Sequence, residues 1–402
     1  MELKYGIYPA KMQEILYDRA NSRLPNMMIF GQAASGKTQA AAHEIQQILE
    51  KTDDEVIILD AKGFYAQDER IRDKVVRVDP FAPDSKWHFN PLDLTVYEDE
   101  GFIFKSALEG VKEKAASILE EIIGRRMETF EKATVYIACD RAFKSLIECL
   151  ERTGEQCNHE LNPTLSDVAD EIIGYGNATD EENRRLINAL KAAIKENKNE
   201  NNKLLAEKVD MLLEKTFHDF EAAKLKRDLL GCLPLIREHF SYKTNMPSER
   251  AVQLSWYCSH NLYRACNLAC LYYVWNRLVW NEIKDTRKRF WIYQEDTDTV
   301  FRESTMLSNV LAYIYRFCRS HGGIMTLVSQ SVTDVIRNPN GRACFLNTNV
   351  YLFLSLCPED RRLTLQNFSG LGAKSMEHVT NRAAGEGLLY KEGDWTPVTF
   401  RE

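Results

Sequence analysis

The chain has 402 residues, of which 44% are hydrophobic, and its formal net charge is -7. This length is enough for roughly two to three domains. The sequence contains no run of about eighteen apolar residues that could span a membrane, and its first residues, MELKYGIYPAK, lack the apolar core of a signal peptide. We therefore expect a chain that folds in the cytoplasm. The acidic balance disfavours a surface that binds nucleic acid throughout but leaves room for a local basic channel, and the ten cysteines, none in a C-x-x-C pair, favour buried thiols over a metal site.

The strongest motif lies near the amino end, after a short β segment over residues 4–18. Residues 31–38 read GQAASGKT and fit G-x-x-x-x-G-K-[ST], the phosphate-binding loop of nucleotide hydrolases. The apolar run Met27–Phe30 predicts a buried strand before this loop. Residues 39–49 predict a helix after it, with one apolar side formed by Ala40, Ala41, Ile45 and Ile48.

Each part of this loop has a predicted task in holding a triphosphate. The glycines let backbone N–H groups point at phosphate oxygens, and the start of the following helix adds its positive dipole end. Lys37 is expected on the β- and γ-phosphates, and the Thr38 hydroxyl is expected on Mg²⁺. A chance match in an ordinary strand-turn-helix is the alternative. The predicted nucleotide-binding residues are Gly31, Gln32, Ala33, Ala34, Ser35, Gly36, Lys37, Thr38 and Gln39.

Two further strands are predicted before the character of the chain changes. They cover residues 56–60, VIILD, and 75–79, VVRVD. Continuous β-branched residues ending in a polar residue are typical of a parallel strand buried on both faces. The segment DAKGFY starts at the carboxyl end of the first of them, where doubly wound sheets bind their ligands. Residues 89–94, FNPLDL, are interpreted as a loop that closes this α/β segment.

From about residue 102 to residue 250, helical spacing replaces the β-branched runs. Apolar stripes at 118–123 and 135–150 predict two packed helices, and PTLSD predicts a helix start near Thr164. The strongly polar stretch at 196–203 predicts a solvated face or a mobile connection. We interpret this segment as an all-helical subdomain inserted into an α/β core. The predicted division is 1–100 for the first part of the core, 101–250 for the insertion and 251–402 for the second part of the core.

The α/β pattern returns after residue 250. Repeated strand-helix units of this kind mean a mostly parallel sheet with helices on both faces, so the predicted fold class is α/β. The predicted elements are strands over 252–257, 290–296, 324–330 and 349–356, a helix over 262–284, and a closing hairpin from 385–390 and 397–400.

The strand over 290–296 ends in Gln294, Glu295 and Asp296, and it supplies the acids that hydrolysis requires beside a phosphate loop. Two assignments of roles are possible. In the first register, Glu295 is the acid that orients Mg²⁺, and Asp296 polarises the attacking water. In the other, Gln294 replaces the metal-side acid and Glu295 alone is catalytic. We favour the first register because it retains two adjacent carboxylates. Capping of the next helix by this acid pair is the structural alternative.

The next strand ends in Ser329 and Gln330, and Gln330 is predicted to sense the γ-phosphate. A hydrogen bond from Gln330 to the loop backbone is an equal alternative. Arg319 and Arg342 lie on the same half of the chain. Each is a candidate arginine finger acting on a neighbouring subunit, with an ordinary surface salt bridge as the alternative.

Taken together and in order, these motifs resemble the C-terminal ATPase domain of VirB4-type proteins, the traffic ATPases of type IV secretion and conjugation systems, most of all those of Gram-positive conjugative elements. The resemblance covers nearly the whole chain through YGI, FGQAASGKT, LDAKGFY, FNPLDL, PTLSD, WIYQED, RSHGGIMTLVSQSVTD and GEGLLY. It implies a RecA-like core with an all-helical insertion, ATP hydrolysis with Mg²⁺, and assembly into hexamers. It also implies a peripheral place at the inner face of the cell membrane, and it leaves the family's N-terminal domain outside this sequence.

The match also assigns roles by position. The loop's Lys-Thr pair stands at the family's phosphate-loop pair, and Gln330 stands at the glutamine of its Thr-Gln motif. Glu295 and Asp296 stand where the family usually shows Asp-Glu, and Ser329 replaces the threonine. These departures predict weakened hydrolysis and intact nucleotide binding. The segment LDAKGFY also lacks the second acid that the family commonly carries there.

Three functions follow as hypotheses. The leading one is a traffic ATPase that energises assembly or operation of a type IV secretion or conjugative transfer channel. The second is a DNA-translocating coupling ATPase on the same core, which the acidic balance ranks lower. The third is a weakly active, nucleotide-gated scaffold, motivated by the reversed acids. The predicted partners are ATP, Mg²⁺, further copies in a dimer or hexamer, other secretion components including a coupling protein, and DNA through a local contact.

Overall fold

A computed structural model describes residues 1–94, 103–153, 159–174, 222–258, 260–283, 288–368, 370–372, 374–380 and 382–400. The chain forms two compact units, one from residues 1–88 with 246–402 and one from residues 89–245. The polar stretch predicted at 196–203 lies outside the described residues. Among the residues that are described, no helix is both long and apolar enough to cross a membrane.

The first unit is built on a single sheet of eleven strands. In chain order these are β1 (Leu3–Tyr8), β2 (Gln13–Tyr17), β3 (Met27–Phe30), β4 (Glu55–Leu59), β5 (Val76–Val78), β6 (Ala251–Leu254), β7 (Phe290–Gln294), β8 (Gly323–Ser329), β9 (Val350–Phe353), β10 (Glu386–Lys391) and β11 (Asp394–Thr399). Their order across the sheet is β2-β1-β11-β10-β9-β3-β8-β7-β4-β6-β5. The strands from β9 to β5 pair in parallel, and the remaining pairs are antiparallel. The predicted α/β fold with a mostly parallel sheet is therefore confirmed.

Eleven helices lie in the described part of the chain. They are α1 (Lys37–Lys51), α2 (Ile103–Ile123), α3 (Thr129–Thr153), α4 (Leu165–Gly174), α5 (222–239), α6 (His260–Ile283), α7 (Thr297–Glu303), α8 (Thr305–Phe317), α9 (Val332–Arg337), α10 (Pro339–Leu346) and α11 (Pro358–Asn367). The second unit contains α2 to α5 and, within its described residues, no strand. There α2 packs on α3 and α3 packs on α4, so the two packed helices predicted from the apolar stripes are confirmed.

The centre of the sheet is the apolar strand β3, which lies between β9 and β8. All four of its residues are buried, as the continuous apolar run predicts. The following helix α1 buries the predicted side formed by Ala40, Ala41, Ile45 and Ile48. Its alanines carry no long side chain, so the start of the helix packs closely against the strands. The packing of α1 against the strands fixes the turn between β3 and α1 at the carboxyl edge of the sheet.

Three strands end two or three residues earlier than the sequence predicts. The strand β6 stops at Leu254, since its neighbour β5 ends at Val78 and the last bond runs from Ser255 N to the Val78 carbonyl, 2.9 Å away. The strand β7 stops at Gln294, before both acids. The predicted strands over 252–257, 290–296 and 349–356 are therefore too long by two or three residues at their carboxyl ends.

The amino-terminal β segment forms the hairpin β1-β2 and extends the sheet through β11. Ile7 of β1 pairs with Thr399 of β11 in antiparallel register. The sequence predicts this β segment and the closing hairpin separately, and the structure joins them. As a result, the carboxyl-terminal strands lie beside the phosphate-loop helix, and α1 packs on β1.

Candidate active site

The loop between β3 and α1 is fastened by main-chain hydrogen bonds on two sides. Gln32 N donates to the Ser355 carbonyl at 2.7 Å, beyond the end of β9. Gly385 N donates to the Ser35 carbonyl at 2.9 Å, just before β10. Ala34 adopts a positive φ of 60°, which a residue with a side chain rarely does. The loop is therefore held in one bent shape by its neighbours.

Two glycines of the motif are required by space as well as by conformation. Gly36 has a φ of 97°, and a Cβ there would lie 2.7 Å from Gly385 N. A Cβ on Gly31 would press against the hydroxyl of Ser35. That hydroxyl is buried and has no hydrogen-bond partner among the described residues. A bent backbone with a spare buried hydroxyl suits the oxygens of a phosphate group.

Lys37 lies at the first position of α1 and is folded back over its own loop. Its Nζ donates to the carbonyls of Gly31, at 2.7 Å, and Gln32, at 3.0 Å. Burial lowers the pKa of Lys37, and the carboxylate of Glu295 opposes this effect. The ammonium group is thus enclosed at the place where the loop would receive a phosphate.

The acid strand ends beside the phosphate loop, as the parallel-sheet rule predicts. Only β8 separates β7 from β3. Thr38 Oγ1 donates to Glu295 Oε1 at 3.3 Å, and the hydroxyl of Tyr65 donates to the same oxygen at 2.5 Å. Gln294 is buried, and its side-chain amide donates to the main-chain carbonyl of Glu295 at 3.0 Å. Of the three strand-end residues, Glu295 is therefore the one in contact with the predicted metal-binding threonine.

The environment of Glu295 favours its protonated form more than water does. The pKa of Glu295 is raised to about 7, and burial is the largest cause; the hydrogen bond from Tyr65 and the charge of Lys37 act to lower this pKa, and the charges of Asp60 and Asp296 act to raise it. Perturbed carboxyl groups of this kind are concentrated at functional sites.

Asp296 has an unusual backbone and two side-chain partners. Its φ of 47° and ψ of 40° lie in the left-handed region, which costs about 1–3 kcal/mol for a residue that is not glycine. Its carboxylate pairs with Lys62 Nζ at 2.8 Å and accepts a hydrogen bond from Gln330 Nε2 at 3.4 Å. Its side chain makes no capping bond to α7. The helix-capping alternative therefore does not describe Asp296.

Gln330 lies at the end of β8 with its side chain exposed. Its main-chain N donates to Asp298 Oδ1 at 3.0 Å, and the hydroxyl of Ser329 lies 3.4 Å from the same oxygen. The main-chain N–H of Gln330 is therefore bonded to Asp298, while its side-chain amide lies 3.4 Å from Asp296 Oδ1. The structure thus brings Gln330 together with the acid pair.

Neither candidate arginine finger has a side-chain hydrogen bond or ion pair to the phosphate loop among the described residues. Arg319 lies in a short turn ahead of β8, at the edge of the sheet opposite the loop. Arg342 is exposed on α10. A role for either residue on a neighbouring subunit stays a prediction.

One group of site residues was not singled out from the sequence. It is the loop after β4, where Lys62 contacts Asp296 and Tyr65 contacts Glu295. The available signal was its position, because DAKGFY follows a buried parallel strand at the edge where ligands bind. The sequence indicates the position of this segment and its missing second acid, but it predicts no role for Lys62 or Tyr65.

The fold and the arrangement at this edge define a RecA-like P-loop protein. Residues 25–226, half of the chain, match the family described as "Helicase HerA, central domain". The chain belongs to this family. A search among curated proteins found no match.

Solved structures share the fold at low sequence identity. The structure of VirB4 of Thermoanaerobacter pseudethanolicus aligns over 100% of this chain and 96% of its own, with a TM-score of 0.70 and 16% identity. The plasmid coupling protein TrwB in complex with ADP and Mg²⁺ aligns over 94% of this chain and 86% of its own, with a TM-score of 0.55 and 11% identity. A trigonal form of TrwBdeltaN70 in complex with sulphate has a TM-score of 0.57, with 11% identity, 100% of this chain and 93% of its own covered. The fold expected from the VirB4-type motif order is therefore confirmed.

Proposed function

We propose that the protein is an ATP-hydrolysing traffic ATPase of the VirB4 type, which energises the assembly or operation of a type IV secretion or conjugative transfer channel. The observation that carries the proposal is the contact between the phosphate loop and the acid strand, with Thr38 Oγ1 3.3 Å from Glu295 Oε1. A phosphate loop alone supports binding, and an acid beside its threonine adds the means of hydrolysis. The fold shared with VirB4 over nearly all of both chains supports the type.

The loop residues 31–39 would hold the triphosphate. The backbone N–H groups at the start of α1 would face the phosphate oxygens, and the buried Ser35 hydroxyl would supply one more donor. Lys37 would exchange the carbonyls of Gly31 and Gln32 for the β- and γ-phosphates. The positive charge of Lys37 would then lie beside negatively charged phosphates in a partly buried site, where the attraction between the two charges is stronger than in water.

The carboxylates and the glutamine would carry out the remaining steps. A bound Mg²⁺ would supply positive charge that neutralises the charge developing on the phosphates. Thr38 would hold the metal directly, and Glu295 would hold it through water. Asp296 would polarise the attacking water, and Gln330, which lies 3.4 Å from it, would sense the γ-phosphate. The spare hydroxyl, the glycine cradle and the adjacent acid support this fit to ATP and Mg²⁺.

The remaining parts of the proposal concern the assembly. We infer self-association to a dimer or hexamer, in which an arginine such as Arg342 or Arg319 reaches the nucleotide of a neighbour. We also infer a peripheral place at the inner face of the cell membrane, with contacts to other secretion components, including a coupling protein. A direct contact with DNA belongs to the second hypothesis.

The test is phosphate release from ATP with Mg²⁺ by the wild type and by Lys37→Ala. We expect turnover by the wild type and none by the variant, because the variant lacks the group that neutralises the β- and γ-phosphates. Lys74→Ala is the matched control, since this lysine is exposed and pairs with Glu50 at 2.6 Å. Unchanged turnover in Lys37→Ala would remove the proposal.

Measurements of DNA binding and ATP binding, added to this assay, separate the other two hypotheses. Salt-sensitive DNA binding with DNA-stimulated turnover would favour the coupling ATPase. Tight ATP binding without phosphate release would favour the nucleotide-gated scaffold. We rank the traffic ATPase first because the fold is closer to VirB4, at a TM-score of 0.70, than to the TrwB structure with ADP, at 0.55.

A further inference from the structure

The loop after β4, residues 60–67, contacts both acids of the candidate site. The strands β4 and β7 are parallel neighbours, and Leu59 pairs with Gln294 in register. Glu295 N then donates to the Leu59 carbonyl at 3.0 Å, which continues the pairing by one bond. The segment that follows β4 and the acids that follow β7 therefore leave the sheet side by side. We call residues 60–67 the β4 loop.

The β4 loop is held in place by a buried carboxylate and a buried amide. The carboxylate of Asp60 accepts hydrogen bonds from Lys62 N at 3.1 Å and Phe64 N at 2.6 Å. Gln253 of β6 donates to Asp60 at 3.1 Å, and its own carbonyl accepts from Ala66 N at 2.6 Å. The loop thus has a defined shape, set by its own backbone and by the neighbouring strand. Side chains that it carries are held at fixed points.

Tyr65 is fully buried and reaches Glu295 from this loop. Its hydroxyl donates to Glu295 Oε1 at 2.5 Å, on the same oxygen that accepts from Thr38 at 3.3 Å. Burial, followed by the charge of Glu295, raises the pKa of Tyr65 well above its usual range, so the hydroxyl stays a donor. One carboxylate oxygen of Glu295 is therefore located between two hydroxyl groups.

Lys62 reaches the second acid from the same loop. Its Nζ lies 2.8 Å from Asp296 Oδ2, while Gln330 Nε2 lies 3.4 Å from Oδ1. The side chain of Lys62 is 51% exposed, and a pair of this kind adds little to folding stability. Its effect is instead on orientation, because one oxygen of Asp296 faces the lysine and the other faces the glutamine.

We propose that the β4 loop positions the acid pair for hydrolysis, with Tyr65 fixing Glu295 and Lys62 fixing Asp296. This inference rests on the proposed function, since it assigns positioning residues to that reaction. Neither side chain contacts the phosphate loop backbone in the described hydrogen bonds, so their removal is expected to slow the chemical step and to leave nucleotide binding unchanged. A fall in kcat with an unchanged KM is the result that a merely structural role would not give.

The first test is Tyr65→Phe, which removes one hydroxyl and leaves the ring. We expect kcat for ATP to fall about tenfold, because misorientation of a catalytic group has effects of this size, and KM to stay within about twofold. Tyr315→Phe is the matched control. Tyr315 is also fully buried, and its hydroxyl contacts Thr348 Oγ1 at 2.5 Å. The control is expected to keep the wild-type kcat.

The second test uses the exposed lysine, whose replacement does not threaten folding. We expect Lys62→Met to lower kcat about fivefold and Lys62→Arg to restore most of the rate, because arginine keeps the charge and the N–H donors. Lys74→Met is the matched control, since Lys74 makes the same kind of exposed ion pair with Glu50 at 2.6 Å. Thermal unfolding of each variant shows whether it is folded.

The outcomes separate this inference from the proposed function. A wild type that turns over ATP, with kcat within about twofold in folded Tyr65→Phe and Lys62→Met, overturns the inference alone. The same holds if KM rises by the factor by which kcat falls, or if Lys62→Arg is as slow as Lys62→Met. No turnover by the wild type overturns both. If Tyr65→Phe does not fold, the two Lys62 variants decide.

Discussion

Replacing Arg19 with methionine is expected to destabilise the first unit strongly, because Arg19 and Glu44 form an enclosed ion pair. Their side chains are 0% and 4% exposed, and Arg19 Nη1 lies 2.7 Å from Glu44 Oε1 and 2.8 Å from Oε2. Glu44 lies on α1, nearly two helical turns (about 1.7) after Thr38. The pair therefore connects the amino-terminal segment to the helix that carries Lys37 and Thr38.

The size of the stability loss in Arg19→Met follows from the partners that Glu44 keeps. Removing one member of a buried pair costs about 3–5 kcal/mol, because the other charge is left uncompensated. Glu44 would keep hydrogen bonds from Tyr293, at 2.8 Å, and from Tyr5, which offset part of this loss. The bond from Arg19 Nη2 to Thr326 Oγ1, at 3.0 Å, would be lost and is worth about 0.5–1.5 kcal/mol. We expect a net loss of about 3–4 kcal/mol.

Urea unfolding of Arg19→Met, of Glu44→Leu and of the double variant measures this loss. The double variant should lose less than the sum of the two single variants, because it leaves no unpaired charge in the interior. Arg337→Met is the control, since Arg337 pairs with Glu359 on the surface at 2.6 Å and should cost about 0–1 kcal/mol. A loss below about 1 kcal/mol for Arg19→Met, or a strictly additive double variant, would refute the reasoning.

Two further predictions concern the site itself. Gly36→Ala is expected to weaken binding of a fluorescent ATP analogue about tenfold, because the φ of 97° and the approach of Gly385 N to 2.7 Å leave no room for a Cβ; an unchanged dissociation constant would contradict this. The acid order of the family suggests that the present order weakens hydrolysis, but the contact of Glu295 with Thr38 argues the reverse. Exchanging the acids, Glu295→Asp with Asp296→Glu, is therefore expected to lower kcat about tenfold, since the shorter side chain at 295 loses its reach to Thr38. A higher kcat in the exchanged variant would show that the opposite order suits this chain better.

The positions at the site that the sequence predicts, as distinct from the roles of the residues, are those with local signals. The phosphate loop is a contiguous motif between an apolar run and a helix, so Gly31 to Thr38 could be placed from spacing alone. The approach of Glu295 to Thr38 follows from a general rule, because the carboxyl ends of parallel strands meet at one edge. The loop motif and the rule for parallel strands are together enough to place Glu295 beside Thr38.

The contacts that the sequence does not predict depend on which strands become neighbours. Tyr65 reaches Glu295 only because β4 lies beside β7, and the two residues are 230 positions apart in the chain. Arg19 gives no signal of burial, since a lone arginine near the amino end is usually exposed. Its enclosure requires α1, β7 and β8 to be assembled around it.

Strand ends are the other limit, and at β6 the physical reason is the loss of a partner strand. The apolar letters of VQLSWY continue past Leu254, yet pairing stops because β5 offers no further residue. Trp256 is still buried, so apolar character there reports packing and does not report strand. The same ambiguity applies wherever an apolar run passes the edge of a sheet.

A crystal structure with a non-hydrolysable ATP analogue and Mg²⁺ tests the central claim most directly. The account predicts the triphosphate within residues 31–38, Mg²⁺ on Thr38 Oγ1 with Glu295 reaching it through water, and Lys37 released from the carbonyls that it contacts here. A nucleotide bound away from this loop, or a Glu295 carboxylate turned away from the metal, would contradict the account.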